Sequence, residues 1–170
     1  MENRGNRASE ELASAKKEFR SFRSSTRSGR NVENAPVAAP EISIAVEKDV
    51  FFPGDFLACE YNVRLKTGHD VQAIETSVVW MTEGKGEEDI GVHFFERRQK
   101  RSGALTSETF QHPQRISTVL PASPFSYEGM ALSVRWCVRV RLFMADGEQY
   151  TEDKFFRLGD VQPFPQASAE

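Results

Sequence analysis

The sequence is poor in the residues from which metal centres and disulfide frameworks are built. Two cysteines and three histidines occur among its 170 residues. A structural zinc site needs four Cys or His ligands at short spacings, and these five residues have no such spacing. Disulfide scaffolds are typical of small, cysteine-dense secreted domains. We therefore expect no metal, no cofactor and two free thiols.

Long apolar runs are also absent. No stretch approaches the ~18 consecutive apolar residues of a membrane-spanning helix, and residues 1–30 lack the apolar segment of a secretory signal. We therefore expect a cytoplasmic protein without an integral membrane segment, while peripheral association with a membrane surface stays open. No G-x-S-x-G motif and no nucleophile–base pair can be recognised, so we do not expect an enzyme.

The charge is unevenly distributed along the chain. The formal net charge is −3, from 22 Lys or Arg and 25 Asp or Glu. Residues 1–40 contain eight basic and five acidic residues, which leaves 22 − 8 = 14 basic and 25 − 5 = 20 acidic residues for the rest. A nucleic-acid-binding domain would be basic, so we expect no nucleic-acid partner.

The two ends of the chain have the composition of tails. Residues 1–40 are rich in Ser, Arg, Ala and Pro and cannot bury enough apolar surface to fold alone, which predicts a disordered basic tail. Within it, Leu12, Ala15, Phe19 and Phe22 have a helical spacing that allows a short amphipathic helix over residues 9–23. Such a helix is either transient or a docking segment. Residues 161–170 form a Pro- and Ala-rich C-terminal tail, and residues 41–160 form the domain.

Residues 132–144 carry the strongest structural signal. Every even position is apolar, whereas Arg135, Arg139 and Arg141 fall on odd positions. Since strand side chains point alternately to opposite faces, this pattern predicts a long strand with Trp136 buried and the arginines in solvent. Other strands are predicted over 42–46, 57–65, 71–81 (with Trp80 inward), 89–96, 115–120 and 148–158, and a long loop over 97–115.

Seven strands separated by turns, with no helix inside the domain, predict an all-β, immunoglobulin-like sandwich of two sheets. Cys59, Trp80 and Cys137 occur in the order of the immunoglobulin disulfide and tryptophan. Strand parity, however, places Cys59 in the core and Cys137 on the arginine face. A disulfide between them is therefore not expected.

Two segments resemble arrestin-like domains. One is the turn with Pro53 and Gly54, followed by an alternating strand. The other is the loop 120–129 with Pro121, Pro124, Tyr127 and Gly129, followed by the long strand. The resemblance covers residues 41–160 and implies an arrestin-like sandwich with a non-catalytic role as adaptor or scaffold, often in membrane trafficking or receptor regulation.

The resemblance is incomplete, because family members usually have two such sandwiches in tandem and this chain has room for one. Within the loop, the two prolines are expected to restrict the chain. We expect Tyr127 to pack its ring and Gly129 to adopt a positive φ.

The candidate binding residues are basic. Guanidinium groups match phosphate and carboxylate geometry, so we predict that they bind an acidic or phosphorylated segment of a protein partner. The alternative is that they only keep a sheet face soluble. The expected binding mode is strand addition at an exposed edge. The sequence makes no prediction of oligomeric state. The candidates are Arg97, Arg98, Lys100, Arg101, Arg135, Arg139 and Arg141.

A second function class stays open from the sequence. A sandwich that binds a small ligand or a carbohydrate needs exposed aromatic side chains around a concave surface. The candidates for such a site are Phe95, Phe110, Phe125 and Phe143.

Overall fold

The computed structural model describes residues 39–66, 69–85, 88–99, 105 and 107–159. The predicted helix 9–23, the C-terminal tail 161–170, Lys100 and Arg101 lie outside these residues. The elements are β1 Glu41–Val46, β2 Val50–Phe51, β3 Phe56–Arg64, β4 Val71–Gly84, β5 Ile90–Gln99, a 3-10 helix Ser107–Phe110, β6 Gln114–Val119, β7 Tyr127–Glu128, β8 Leu132–Met144 and β9 Gln149–Leu158.

The strands form two sheets, which confirms the predicted all-β sandwich. The smaller sheet has the order β1-β3-β6, and the larger has the order β2-β9-β8-β4-β5 with β7 beside the start of β8. The pairings are antiparallel except for the parallel contact of β2 with β9. The two-residue strands β2 and β7 are too short to have a recognisable alternation, so the sequence did not predict them.

The core lies between the sheets and is built from the alternating positions of β8 and β3. Trp136, Leu57 and Tyr61 are fully buried, and the Trp136 ring lies 6.0 Å from that of Phe156. Trp80 is only half-buried and packs at the margin of this core. Burying aromatic and aliphatic side chains of this size is the main favourable term in folding such a domain.

The loop that precedes β8 is fixed by polar contacts to the core strands. The indole N–H of Trp136 donates to the carbonyl oxygen of Pro124 at 2.8 Å. Gly129 does not have the positive φ that we expected. It is required for a different reason, since a Cβ at this position would lie 2.6 Å from the Tyr127 ring. The loop is therefore a packed corner of the domain.

The earlier turn is formed as predicted. Gly54 has a φ of +83°, and the N–H of Asp55 donates to the carbonyl oxygen of Phe52 at 3.0 Å. The Asp55 carboxylate accepts from Lys48 Nζ at 2.6 Å and from the N–H of Phe52 at 3.0 Å. These two hydrogen bonds lower the pKa of Asp55. Pro53 starts the turn, because its ring fixes φ at the value that the turn needs there.

Strand β5 departs from the prediction in two ways. It continues to Gln99, so Arg97 and Arg98 belong to a strand and not to the predicted loop. A register shift against β4 leaves His93 without a cross-strand partner. Because such a bulge reverses side-chain parity, Val92 and Phe94 point to opposite faces, whereas the sequence placed them on one face.

Candidate functional site

The three arginines of β8 share the face opposite Trp136, as the alternation predicted. The side chain of Arg135 is 53% exposed, but those of Arg139 and Arg141 are only 11% and 8% exposed. The prediction of a solvent-exposed arginine row is therefore wrong for the latter two residues. Parity fixed the face on which they lie, but it gave no information on the carboxylates that neighbouring strands place beside them.

Glu75 of β4 is one of these carboxylates, and it lies between two arginines. Its Oε1 is 2.6 Å from Arg97 Nη1, and its Oε2 is 3.5 Å from Arg141 Nη1. The same two guanidinium groups lie over the Phe143 ring, at 4.9 and 5.1 Å from its centroid. The Glu75 side chain is only 5% exposed. The sequence did contain a signal for this site, because Glu75 is the one acidic residue within the otherwise uncharged predicted strand 71–81.

Arg139 is held by a carboxylate of β9. Its Nε and Nη2 atoms donate to the two carboxylate oxygens of Asp153, each at 2.5 Å. This is the paired geometry in which guanidinium and carboxylate bind most strongly. A phosphate approaching Arg139 would have to compete with Asp153. The bidentate ion pair of Arg139 with Asp153 is therefore a structural contact of the sheet.

The basic run after Phe95 does not form one patch. Arg97 points to the outer face with Glu75, whereas Arg98 points to the opposite face. There it donates to Glu96 Oε1 and to Gln114 Oε1, each at 2.6 Å. The structure therefore separates Arg98 from the outer face, and no single surface of the described residues contains all the candidate arginines.

Arg135 is the most exposed of the described candidate arginines, and it lines a cleft of about 460 Å³. Its guanidinium lies 5.0 Å from the Phe155 ring centroid and 3.4 Å from Glu83 Oε2. The cleft opens where β9 leaves β8 and the N–H of Leu158 donates instead to Ser126 Oγ at 2.9 Å. Two arginines and three carboxylates line it, namely Arg135, Arg157, Asp49, Glu83 and Glu128. This charge balance does not favour an anionic ligand.

The four phenylalanines proposed for a ligand site are not brought together. Phe110 is buried, and Phe143 lies beneath the arginines of the outer face. Phe95 is half-buried in β5, whereas Phe125 is 44% exposed and covers Gly159. The cleft is lined instead by Phe155, Phe156 and Tyr127. The predicted aromatic surface is therefore not formed.

Both thiols are free, as predicted, and both are buried. Strand parity predicted the burial of Cys59 but placed Cys137 on a solvent-facing side of the sheet, which is wrong because the arginine face around it is itself largely covered. Burial raises the pKa of Cys59 to about 11 and that of Cys137 to about 12. Neither is therefore a nucleophile at neutral pH, because the thiolate is the reactive form. Among the described residues, no group of three or more His, Cys, Asp or Glu could hold a metal ion. The same residues contain no helix long and apolar enough to span a membrane.

The hydrogen bonds of the smaller sheet determine which residues of β1 direct their backbone groups toward β3 and which direct them to the open edge. The N–H of Leu120 donates to the carbonyl oxygen of Asp55 at 2.9 Å, one residue beyond the β3–β6 ladder. Backbone groups alternate sides along an antiparallel strand. Along β3 this alternation turns the backbone N–H and C=O groups of Asn62 toward β1 and those of Tyr61 toward β6. Because Ser43 pairs with Asn62 and Ile44 pairs with Tyr61, the backbone groups of Ser43 face β3 and those of Ile44 face away from it.

Three residues of β1 therefore point their N–H and C=O groups to the edge of the sheet, namely Ile42, Ile44 and Val46. Within the described part of the chain no strand pairs with them. Their side chains point to the core but are only half-buried.

The opposite side of the sandwich is closed by contacts between the sheets. His93 of β5 donates from Nε2 to the carbonyl oxygen of Val119 in β6 at 2.8 Å, and Arg98 reaches Gln114. Since β5 and β6 are the outer strands on this side, these bonds cover the edge of β6. The β-bulge at His93 further interrupts the edge of β5, which is how natural sheets discourage strand addition.

No family model matches the chain, and no curated protein matches it. A solved structure that it resembles is that of Spo0M, a sporulation control protein from Bacillus subtilis, with a TM-score of 0.55 and 18% sequence identity. The similarity covers 74% of this chain and 51% of that chain, so this chain spans about half the length of its structural neighbour. Spo0M has an arrestin-like fold. At this identity the likeness concerns the fold alone, and the described domain is an arrestin-like β-sandwich.

Proposed function

We propose that this domain is a non-catalytic protein-interaction module of the adaptor or regulatory kind. It binds an extended segment of a partner protein by adding that segment as a strand to β1. The observation that carries the proposal is the edge of β1, where Ile42, Ile44 and Val46 direct backbone groups outward and keep half-buried side chains. A new strand would satisfy the backbone groups and complete the burial of those side chains.

The choice of β1 over the other edges rests on the difference between the two sides of the sandwich. Contacts of His93 and Arg98 bridge β5 to β6. Among the described residues no side-chain hydrogen bond or ion pair joins β1 to β9, the strand of the larger sheet that lies nearest to it. Strand addition at β1 therefore displaces no such contact.

The resemblance to arrestin-like domains supports an adaptor or scaffold role in the cytoplasm, and the structural neighbour Spo0M is itself a sporulation control protein. An acidic or phosphorylated partner remains a prediction. Carboxylates already hold Arg139 and Arg141, so Arg135→Ala tests that prediction better than substitutions that would disturb the sheet.

The strand-addition proposal can be tested with peptides selected from a random library against the folded domain. Bound peptides are expected to shift the backbone amide NMR signals of Ile42, Ile44 and Val46. Ile44→Pro removes an outward N–H and should abolish binding while the domain stays folded, because proline is tolerated at sheet edges. The matched control Ile44→Val retains the N–H and should retain binding.

Ser43→Pro serves as the check on the assigned edge, since its N–H faces β3 and its loss should lower the stability of the domain. The proposal is wrong if no peptide binds, or if the selected peptides bind the Ile44→Pro variant as well as they bind the wild type.

A further inference from the structure

The larger sheet extends beyond β1, and this leaves part of its inner face uncovered. Tyr150, Glu152 and Lys154 of β9 lie opposite Leu142, Val140 and Val138 of β8, whose side chains are all buried in the core. The three β9 side chains therefore point to the same side. Glu152 is nevertheless exposed, and the other two are only half-buried. A strand added to β1 would lie above this row.

Among the described residues, the charged groups around this position are mostly acidic. Lys48 contacts Asp55 at 2.6 Å, Lys154 contacts Asp49 at 3.4 Å and Arg64 contacts Glu41 at 3.7 Å, so each of these three cations already has a carboxylate partner. By contrast, Glu47 and Glu152 make no ion pair with any described residue. Glu148 accepts from the Tyr150 hydroxyl at 2.5 Å and raises the pKa of that tyrosine to about 12.

The acidic groups also follow the alternation of β1. Glu41, Ser43 and Ala45 point outward from the smaller sheet, and Glu47 continues this parity just beyond the strand. The outward side chains of an added strand would therefore lie along a row that has the Glu41 carboxylate at one end and the Glu47 carboxylate at the other. Its inward side chains would meet Ile42, Ile44, Val46 and Tyr150, with Glu152 beside them.

We propose that the segment accepted by β1 alternates apolar residues with Lys or Arg, with the apolar side chains toward the core and the cations outward. This inference rests on the proposed strand addition at β1. It names the chemistry of the partner, which is opposite in charge to the acidic segment predicted from the arginines. Cross-strand pairs of opposite charge stabilise a sheet, and like charges directly opposite one another destabilise it.

The inference can be tested with three nine-residue peptides in which Val alternates with Lys, with Ser or with Glu. We expect the Lys peptide to bind about tenfold more tightly than the Glu peptide in fluorescence anisotropy, from two or three exposed ion pairs. The difference should shrink in 0.5 M NaCl, because salt screens exposed charges. Glu47→Lys should reduce this difference in affinity, whereas the matched control Glu128→Lys, on β7, should not.

The outcomes separate the two proposals. If the Glu peptide binds as tightly as the Lys peptide and Ile44→Pro abolishes the binding of both, strand addition stands and the basic partner is refuted. If none of the peptides binds, or if the binding of the Lys peptide survives Ile44→Pro, strand addition at β1 is refuted and the inference with it. If Glu128→Lys weakens Lys-peptide binding as much as Glu47→Lys does, the net charge of the domain selects the peptide, and the inference is again overturned.

Discussion

Glu75 lies in the middle of β4, with a guanidinium group on each neighbouring strand. Arg97 and Arg141 contact its two oxygens, and both stack on Phe143. A buried carboxylate is tolerated only when its charge is compensated, and removing one member of such a group leaves the others uncompensated. Glu75 therefore holds together the outer face of the larger sheet, where the sequence placed a solvated surface.

Replacing Glu75 by Gln should destabilise the domain by about 2–3 kcal/mol, because the buried Arg141 loses a counter-charge while the more exposed Arg97 regains water. Urea denaturation gives the free energy of unfolding of the variant. Glu83→Gln is the matched control, since it also removes a carboxylate facing an arginine but does so at the surface. Its expected cost is below about 0.5 kcal/mol. Equal losses in the two variants would contradict the role assigned to Glu75.

The strands differ in how well their sequences specify them. The bounds of β8 were predicted correctly, since every even position from Leu132 to Met144 is apolar. In β5 a single extra residue, His93, reverses the parity, so the faces of the residues beyond it could not be predicted from period two. For Arg139, parity gave the correct face but the wrong environment. Which carboxylates meet an arginine depends on strand order, which no local pattern encodes.

The pairing of β4 with β5 depends on one glycine. Gly91 lies opposite Trp80, and a Cβ at Gly91 would be 2.1 Å from the Nε1 atom of that indole. The ring therefore covers the space that a side chain on β5 would occupy. Glycine is needed here because of the close approach of the ring, and not because of its backbone angles.

Gly91→Ala should destabilise the domain by about 1–3 kcal/mol, because the Trp80 ring has to move away from its packed position. In a Trp80→Ala background the same substitution should cost only a few tenths of a kcal/mol, since the clash is then absent. Thermal or urea unfolding of the four proteins in this cycle measures the coupling. Equal costs of Gly91→Ala in the two backgrounds would show that the indole does not set the requirement for glycine.

At the scale of the whole domain, the exposed apolar side chains are concentrated at one end of the sandwich. Strands β3, β5 and β8 begin at this end, and β4 and β6 finish there. Phe56 and Val119 are cross-strand neighbours on the outer face and are 59% and 56% exposed. The exposed large apolar side chains of the described residues all lie at or beside this end: Val50, Phe52, Phe56, Val119, Phe125, Met130, Leu132 and Phe155.

This asymmetry predicts that one end of the domain dominates its contacts with apolar surfaces, because large exposed apolar patches mark interaction sites. The double variant Phe52→Ser, Phe56→Ser should elute earlier from a hydrophobic-interaction column. Its free energy of unfolding should change by less than about 1 kcal/mol, since both rings are already more than half exposed. Met130→Ser, in the neighbouring loop and 96% exposed, should shift elution in the same direction. Unchanged retention of both variants would mean that this end does not act as an apolar surface in solution.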